Sequence, residues 1–154
     1  MASNAISAAR TVNTKSNEGT FAGSFITLAG RFLFSAIFIL SGFFHFSPQD
    51  IAYAANAGVP VPAFLVPASG ILALLGGLCI LLGYRARIGG WLVVLFLVPV
   101  TLMMHNFWAV KDPMVAQMQM AMFMKNVAMI GAALLISQFG AGRLSLDARK
   151  NSTR

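Results

Sequence analysis

Residues 63–83, AFLVPASGILALLGGLCILLG, decide the fold. No charged side chain interrupts this stretch. In a helix, about 20 such residues rise roughly 30 Å, the thickness of a bilayer's hydrocarbon core. A buried helix of a soluble protein can be equally apolar, so the neighbouring sequence has to arbitrate. Three further stretches, 25–46, 88–106 and 113–138, are as long and nearly as apolar. Only 10% of the 154 residues are charged and 58% are hydrophobic. A soluble domain carries roughly 25% charged residues. The expectation is an all-α membrane protein, a bundle of four transmembrane helices.

The connections carry their own signals. In Ser47-Pro48-Gln49-Asp50, Ser47 suits an N-cap, Pro48 the first helical position and Asp50 the first turn. Gly58, with Pro60 and Pro62 after it, reads as a stop. A short interfacial helix over 48–57 is therefore expected between spans one and two. The turn 83–87 is too short for anything but antiparallel neighbours. Asp112-Pro113 should cap span four. Residues 1–24 read as a mobile tail, and 139–154 as a basic tail. The composition of the first 24 residues admits a mitochondrial transit peptide, whereas a cleaved secretory signal fits poorly. The single cysteine, Cys79, makes no internal disulfide.

Basic residues orient the chain. With both termini in the cytoplasm, the inner side holds Arg10, Lys15, Arg85, Arg87, Arg143, Arg149, Lys150 and Arg154, and the outer loops hold Lys111. That is the bias expected of a membrane protein. Trp108, Phe107 and Tyr53 then fall at the outer interface, and Tyr84 and Trp91 near the inner one. The net charge of +7 raises nucleic acid, but the basic residues form no stripe and no nucleic-acid motif accompanies them.

Alternating direction brings His45, His105 and Lys125 toward the outer end. An ionisable group at membrane depth is costly and seldom faces lipid, so it marks a candidate site. Helical spacing puts Arg31, Phe34, Phe38, Ser41 and His45 on one face of span one. Val94, Val98, Thr101 and His105 align on span three, and Met118, Met122, Lys125 and Met129 on span four, with Asn126 about 100° round. The candidate ligand-binding residues are His45, His105, Lys125, Asn126, Asn106 and Ser41.

Plainer readings compete. Lys125 can snorkel along its stem. The histidines can be interfacial residues, Arg31 can anchor the inner end of span one, and Asn106 can cap span three. Two histidines suggest axial haem ligation, but nothing in the sequence fixes their separation. The methionines between 114 and 124 suggest Cu(I), yet they do not share a face and fill gaps well in apolar packing. Haem and copper therefore fit poorly, and no metal site is expected. Ser69, Ala73 and Gly77, with Ala128, Gly131 and Ala132, offer surfaces for close helix approach. Pro99 should kink span three, freeing the Leu95 carbonyl. There is no Ser–His–acid set, no phosphate loop and no paired cysteine. No carboxylate lies deep in a span, which argues against a proton-coupled carrier.

These residues fall into an order that resembles the DoxX family of membrane proteins. The matching pieces are Gly30-Arg31-Phe32-Leu33, Leu40-Ser41-Gly42-Phe43-Phe44-His45-Phe46 and Gly58-Val59-Pro60-Val61-Pro62. They continue with Leu74-Leu75-Gly76-Gly77, His105-Asn106-Phe107-Trp108 and Phe123-Met124-Lys125-Asn126-Val127-Ala128. Phe139-Gly140-Ala141-Gly142-Arg143-Leu144-Ser145-Leu146-Asp147 closes a likeness covering 28–147. The resemblance implies four membrane helices in a bacterial inner membrane, and an association with respiratory or sulfur redox chemistry. Relatives include subunits of quinol oxidases and of thiosulfate:quinone oxidoreductases. Many carry a glutamate where this chain has Ala73 and a lysine where it has His45.

The leading expectation is an integral subunit or accessory protein of a quinone-linked redox system, with a polar pocket near the outer side. Quinone carbonyls need donors in an apolar pocket, and Lys125 with a neutral His45 or His105 are the expected ones. Partners would be membrane lipids and a protein partner or second copy, not nucleic acid. The alternative is a non-catalytic scaffold that recruits a partner protein. A solute carrier is disfavoured, because one domain of four helices has no inverted halves.

Overall fold

The computed structural model describes the backbone over residues 2–152 and the side chains over 23–150. Helix α1 runs Ala2–Phe44, α2 Pro48–Asn56, α3 Pro62–Leu82, α4 Ala86–Met104, α5 Pro113–Phe139 and α6 Leu146–Ser152. A 3₁₀ turn, Phe107–Ala109, joins α4 to α5. Four segments are long and apolar enough to cross a membrane: Gly23–Phe44, Pro62–Leu82, Ala86–Ala109 and Pro113–Phe139. The expected four-helix bundle is the observed one, and the expected short helix is α2. Expected and observed ends of the membrane segments differ by a few residues, the usual fraying of boundaries, but the helix that carries the first span begins at Ala2 instead of 25. The mobile tail expected over 1–24 lies, apart from its last two residues, outside the described side chains.

The caps follow from sequence. Ser47 accepts a hydrogen bond from the Asp50 N–H at 3.1 Å, starting α2. Asp112 accepts from Met114 and Val115 N–H at 2.9 and 3.0 Å, starting α5. Helix α3 stops at Gly83, whose φ of +63° is free of Cβ strain.

The membrane helices pack in the order α1, α3, α4, α5, with α2 against α3. Helices α1 and α5 make no comparable contact with each other. A Cβ on Gly70 of α3 would stand 2.7 Å from His45 Cβ and 2.9 Å from the Gly42 carbonyl, so only glycine lets α1 approach. Likewise a Cβ on Gly90 of α4 would stand 2.7 Å from the Ala133 carbonyl of α5. Between lipid-facing helices, close backbone approach gains dispersion contacts that the hydrophobic effect does not supply. The core is Phe38, Ala73, Ile80, Val93, Phe96, Leu97 and Ala133, with Phe38 and Phe96 edge to face at 6.2 Å.

Two expectations on α5 need correction. Ala128 and Gly131 are exposed, and a Cβ on Gly131 would meet nothing within 4 Å. The residue that meets α4 is Ala133, fully buried. Met118, Met122 and Lys125 lie off the buried face of α5, and of the three Lys125 borders a hollow between helices. All three are exposed, and the buried face carries Asn126 two turns before Ala133. Helix α5 is apolar on every side, so hydrophobic spacing could not give its phase. On α4, Val98 is 43% exposed, and Val93 and Leu97 take the inward positions instead. The α1 stripe stands as read, with Arg31 and Phe38 buried and Phe34, Ser41 and His45 half-buried.

The end of the bundle carrying the α3–α4 turn is latched by the chain's last segment. Arg31, 5% exposed, donates to four carbonyls: Ile80 at 2.9 Å, Leu81 at 2.7 Å, Ala141 at 2.8 Å and Leu144 at 2.7 Å. The Ile80 and Leu81 carbonyls sit at the negative end of the α3 dipole, which suits a cation, and the Ile80 carbonyl also accepts the Gly83 N–H at 3.1 Å. Asp147 then accepts from the Arg85 and Ala86 N–H groups at 2.8 and 3.2 Å, and its own N–H reaches the Gly83 carbonyl at 2.9 Å. Arg31 does more than anchor span one: it joins α1, α3 and the segment after α5.

Candidate functional site

At the opposite end of the bundle, where α1 and α5 do not pack as closely as the other neighbours, lies a hollow of about 160 Å³ over α4. Ser41 and His45 reach it from α1, His105 from the end of α4, and Lys125 and Asn126 from α5. Phe38, Phe96, Leu97 and Met129 supply its apolar wall. Five of the six candidate residues thus meet at one place. Asn106, the sixth, does not line it; its carbonyl accepts the Ala109 N–H at 2.9 Å in the 3₁₀ turn.

Each polar group has a distinct state. His45 holds Nδ1 2.7 Å from the Ser41 carbonyl and packs edge-on to Phe96 at 5.5 Å. His105 holds Nδ1 2.8 Å from Oε1 of Gln119 on α5. Lys125 is exposed, its Nζ 3.4 Å from Met122 Sδ. Asn126 is the outlier. It is 4% exposed, and its side-chain amide has no hydrogen-bond partner among the described residues. Among the described residues no deeply buried side-chain N or O lacks a partner, so the amide atoms are not sealed off, and Asn126 lines the hollow. A carboxamide held this way in an apolar wall costs about 1–3 kcal/mol unless something fills its bonds.

A second, larger cavity of about 490 Å³ abuts the hollow and shares His45, Val100 and His105 with it. It lies between α2, α3 and α4, with Asp50, Tyr53 and Ser69 as its other polar groups. Pro99 and Leu95 border it. Its size falls in the range of small-molecule sites, roughly 300–1,000 Å³, and its walls are mostly apolar. Among the described residues, no group of three or more His, Cys, Asp or Glu could hold a metal ion.

Sequence reasoning missed this larger cavity and Gln119. A polar amide at membrane depth was the available signal for Gln119. It also missed the aromatic cluster of Phe107, Trp108 and Phe123, with centroids 5.1–5.8 Å apart, which pins the 3₁₀ turn beside His105 onto α5.

Four membrane-crossing helices, a short helix between the first two and a polar hollow at one end define a multi-pass membrane protein. The chain belongs to the DoxX family, whose model matches residues 26–106, from the first membrane span through α4. It is 29% identical over 126 residues to "Inner membrane protein YphA" of Escherichia coli, covering 80% of this chain and 89% of that protein. It is 28% identical over 80 residues to "ER-derived vesicles protein ERV29" of Saccharomyces cerevisiae. That match covers 52% of this chain and 26% of the yeast protein. No solved structure gives a significant match.

Proposed function

We propose that this protein is an integral subunit or accessory protein of a quinone-linked redox system, and that the hollow receives the ring of a quinone. The observation that carries this reading is the unpartnered, buried amide of Asn126 in a hollow also faced by two imidazoles and an amine. Such a cluster suits a small ring with oxygens at its rim, and the adjoining apolar cavity suits the ring's tail. Lys125 Nζ and Asn126 Nδ2 are the donors available to ring carbonyls. The protein sits in a bacterial inner membrane with both termini in the cytoplasm. That orientation puts Arg85 and Arg87 inside and the hollow near the outer surface.

The test is purification of the full chain in native lipid, with extraction and identification of co-purifying quinones. The chain is expected to retain quinone, and Lys125→Met with His105→Ala to lose it together with quinone-dependent membrane redox activity. Retention of both properties by the double variant refutes the reading. If truncation of the termini abolishes function while that variant keeps it, the protein is a scaffold for a partner.

A further inference from the structure

We infer that both imidazoles are locked in a single tautomer, and that this makes the hollow prefer a ligand that donates hydrogen bonds over one that only accepts them. The inference deepens the reading above and rests on it.

His45 Nδ1 faces the Ser41 carbonyl at 2.7 Å, and His105 Nδ1 faces Gln119 Oε1 at 2.8 Å. Both partners are oxygens that accept and do not donate. Each contact therefore requires the proton on Nδ1. A neutral imidazole has one N–H, so each Nε2 is left as a bare acceptor. Neither Nε2 has a partner among the described residues, and no deeply buried side-chain nitrogen is unpartnered, so both reach open space. The two rings line the boundary shared by the hollow and the larger cavity. A head group there meets two imidazole acceptors, the acceptor and donor ends of the Asn126 amide, and the Lys125 donor.

This corrects the expectation that a neutral His45 or His105 donates to a quinone carbonyl. Hydroxyls on the ring match the Nε2 atoms, and carbonyls do not. The ligand class is an amphiphile whose aromatic ring bears hydroxyl groups, the two-hydroxyl form of a quinone–quinol pair. Gln119 is the positioning residue. It touches no ligand-facing surface of the hollow, yet it decides which nitrogen His105 presents. In water an imidazole favours its proton on Nε2, so without Gln119 the ring turns from acceptor to donor.

The experiment uses the full chain with ¹⁵N-labelled histidine in lipid nanodiscs. Nitrogen shifts report each tautomer directly, and binding of a short-tailed benzoquinol and its benzoquinone is measured in parallel. Both histidines are expected as Nδ1–H, with the quinol bound about tenfold or more tightly, the worth of one well-made hydrogen bond. Gln119→Leu should move His105 alone to Nε2–H and shrink the quinol preference. An Nε2–H signal from either histidine in the unaltered chain overturns the inference, as does equal binding of the two rings. Failure of both rings to bind removes the quinone reading as well, which separates the two failures.

Discussion

Arg31 on α1 donates from Nε to the carbonyl oxygen of Ile80, 2.9 Å away in the last turn of α3. The remaining nitrogens reach Leu81, Ala141 and Leu144. One side chain thereby ties together carbonyls from two segments distant in sequence, the end of α3 and the stretch between α5 and α6. Arg31→Met should leave four carbonyls without that partner and destabilise the bundle by about 3 kcal/mol or more. Arg31→Lys should recover only part of the loss, because an ammonium cannot reproduce the planar fork. Thermal unfolding in detergent checks the order: unaltered chain above Lys, Lys above Met.

Asp147 works from the far side of the same latch. Its carboxylate accepts from two N–H groups opening α4, including that of Arg85, which holds φ at +49°. Asp147→Ala should cost about 0.5–2 kcal/mol, the usual loss when a helix start loses its capping oxygen. Removing everything after Phe139 takes away Asp147 and two of the Arg31 acceptors at once. It should destabilise the chain by more than Asp147→Ala does. A truncation as stable as the full chain would falsify the latch.

How much of this was legible depended on what each residue meets. The start of α2 could be read because Ser47, Pro48 and Asp50 act locally, within one turn. The inward face of α1 could be read because Arg31, Ser41 and His45 are polar residues on an otherwise apolar helix. The face of α5 could not, since lipid and core both accept methionine and leucine, and one polar side chain, Asn126, lies a helical step away from another, Lys125. Arg31 showed its charge in the sequence but not its partners, which are backbone carbonyls distant along the chain. The role of Gln119 depends on the register of α5 against α4, which no local pattern records.

Gly70 and Gly131 make a matched pair for the packing argument. A methyl at Gly70 collides with His45 Cβ and the Gly42 carbonyl, neither of which is the loose end of a flexible side chain. Gly70→Ala should therefore push α1 off α3 and cost about 1–3 kcal/mol. A methyl at Gly131 meets nothing within 4 Å, and alanine is the better helix former. Gly131→Ala should be neutral or stabilising by up to about 1 kcal/mol. Unfolding of the two variants in the same detergent decides it, and a larger loss for Gly131→Ala would mean that α5 packs on a second chain there.

Asn126→Leu separates stability from binding. An amide kept for packing would have its bonds made within the protein, and removing it would leave other groups unsatisfied. Asn126 has no such partner among the described residues, although it is 4% exposed. Leucine has a similar volume and suits the neighbouring Phe38, Phe96, Leu97 and Met129. The substitution should leave unfolding unchanged or raise stability by up to about 1–3 kcal/mol, the penalty it removes. Ligand retention should fall in the same variant. A stability gain with loss of ligand is the signature of a residue held for binding at the expense of the fold. A marked loss of stability would instead place Asn126 among the packing residues of α5, and the hollow would lose its strongest claim to a ligand.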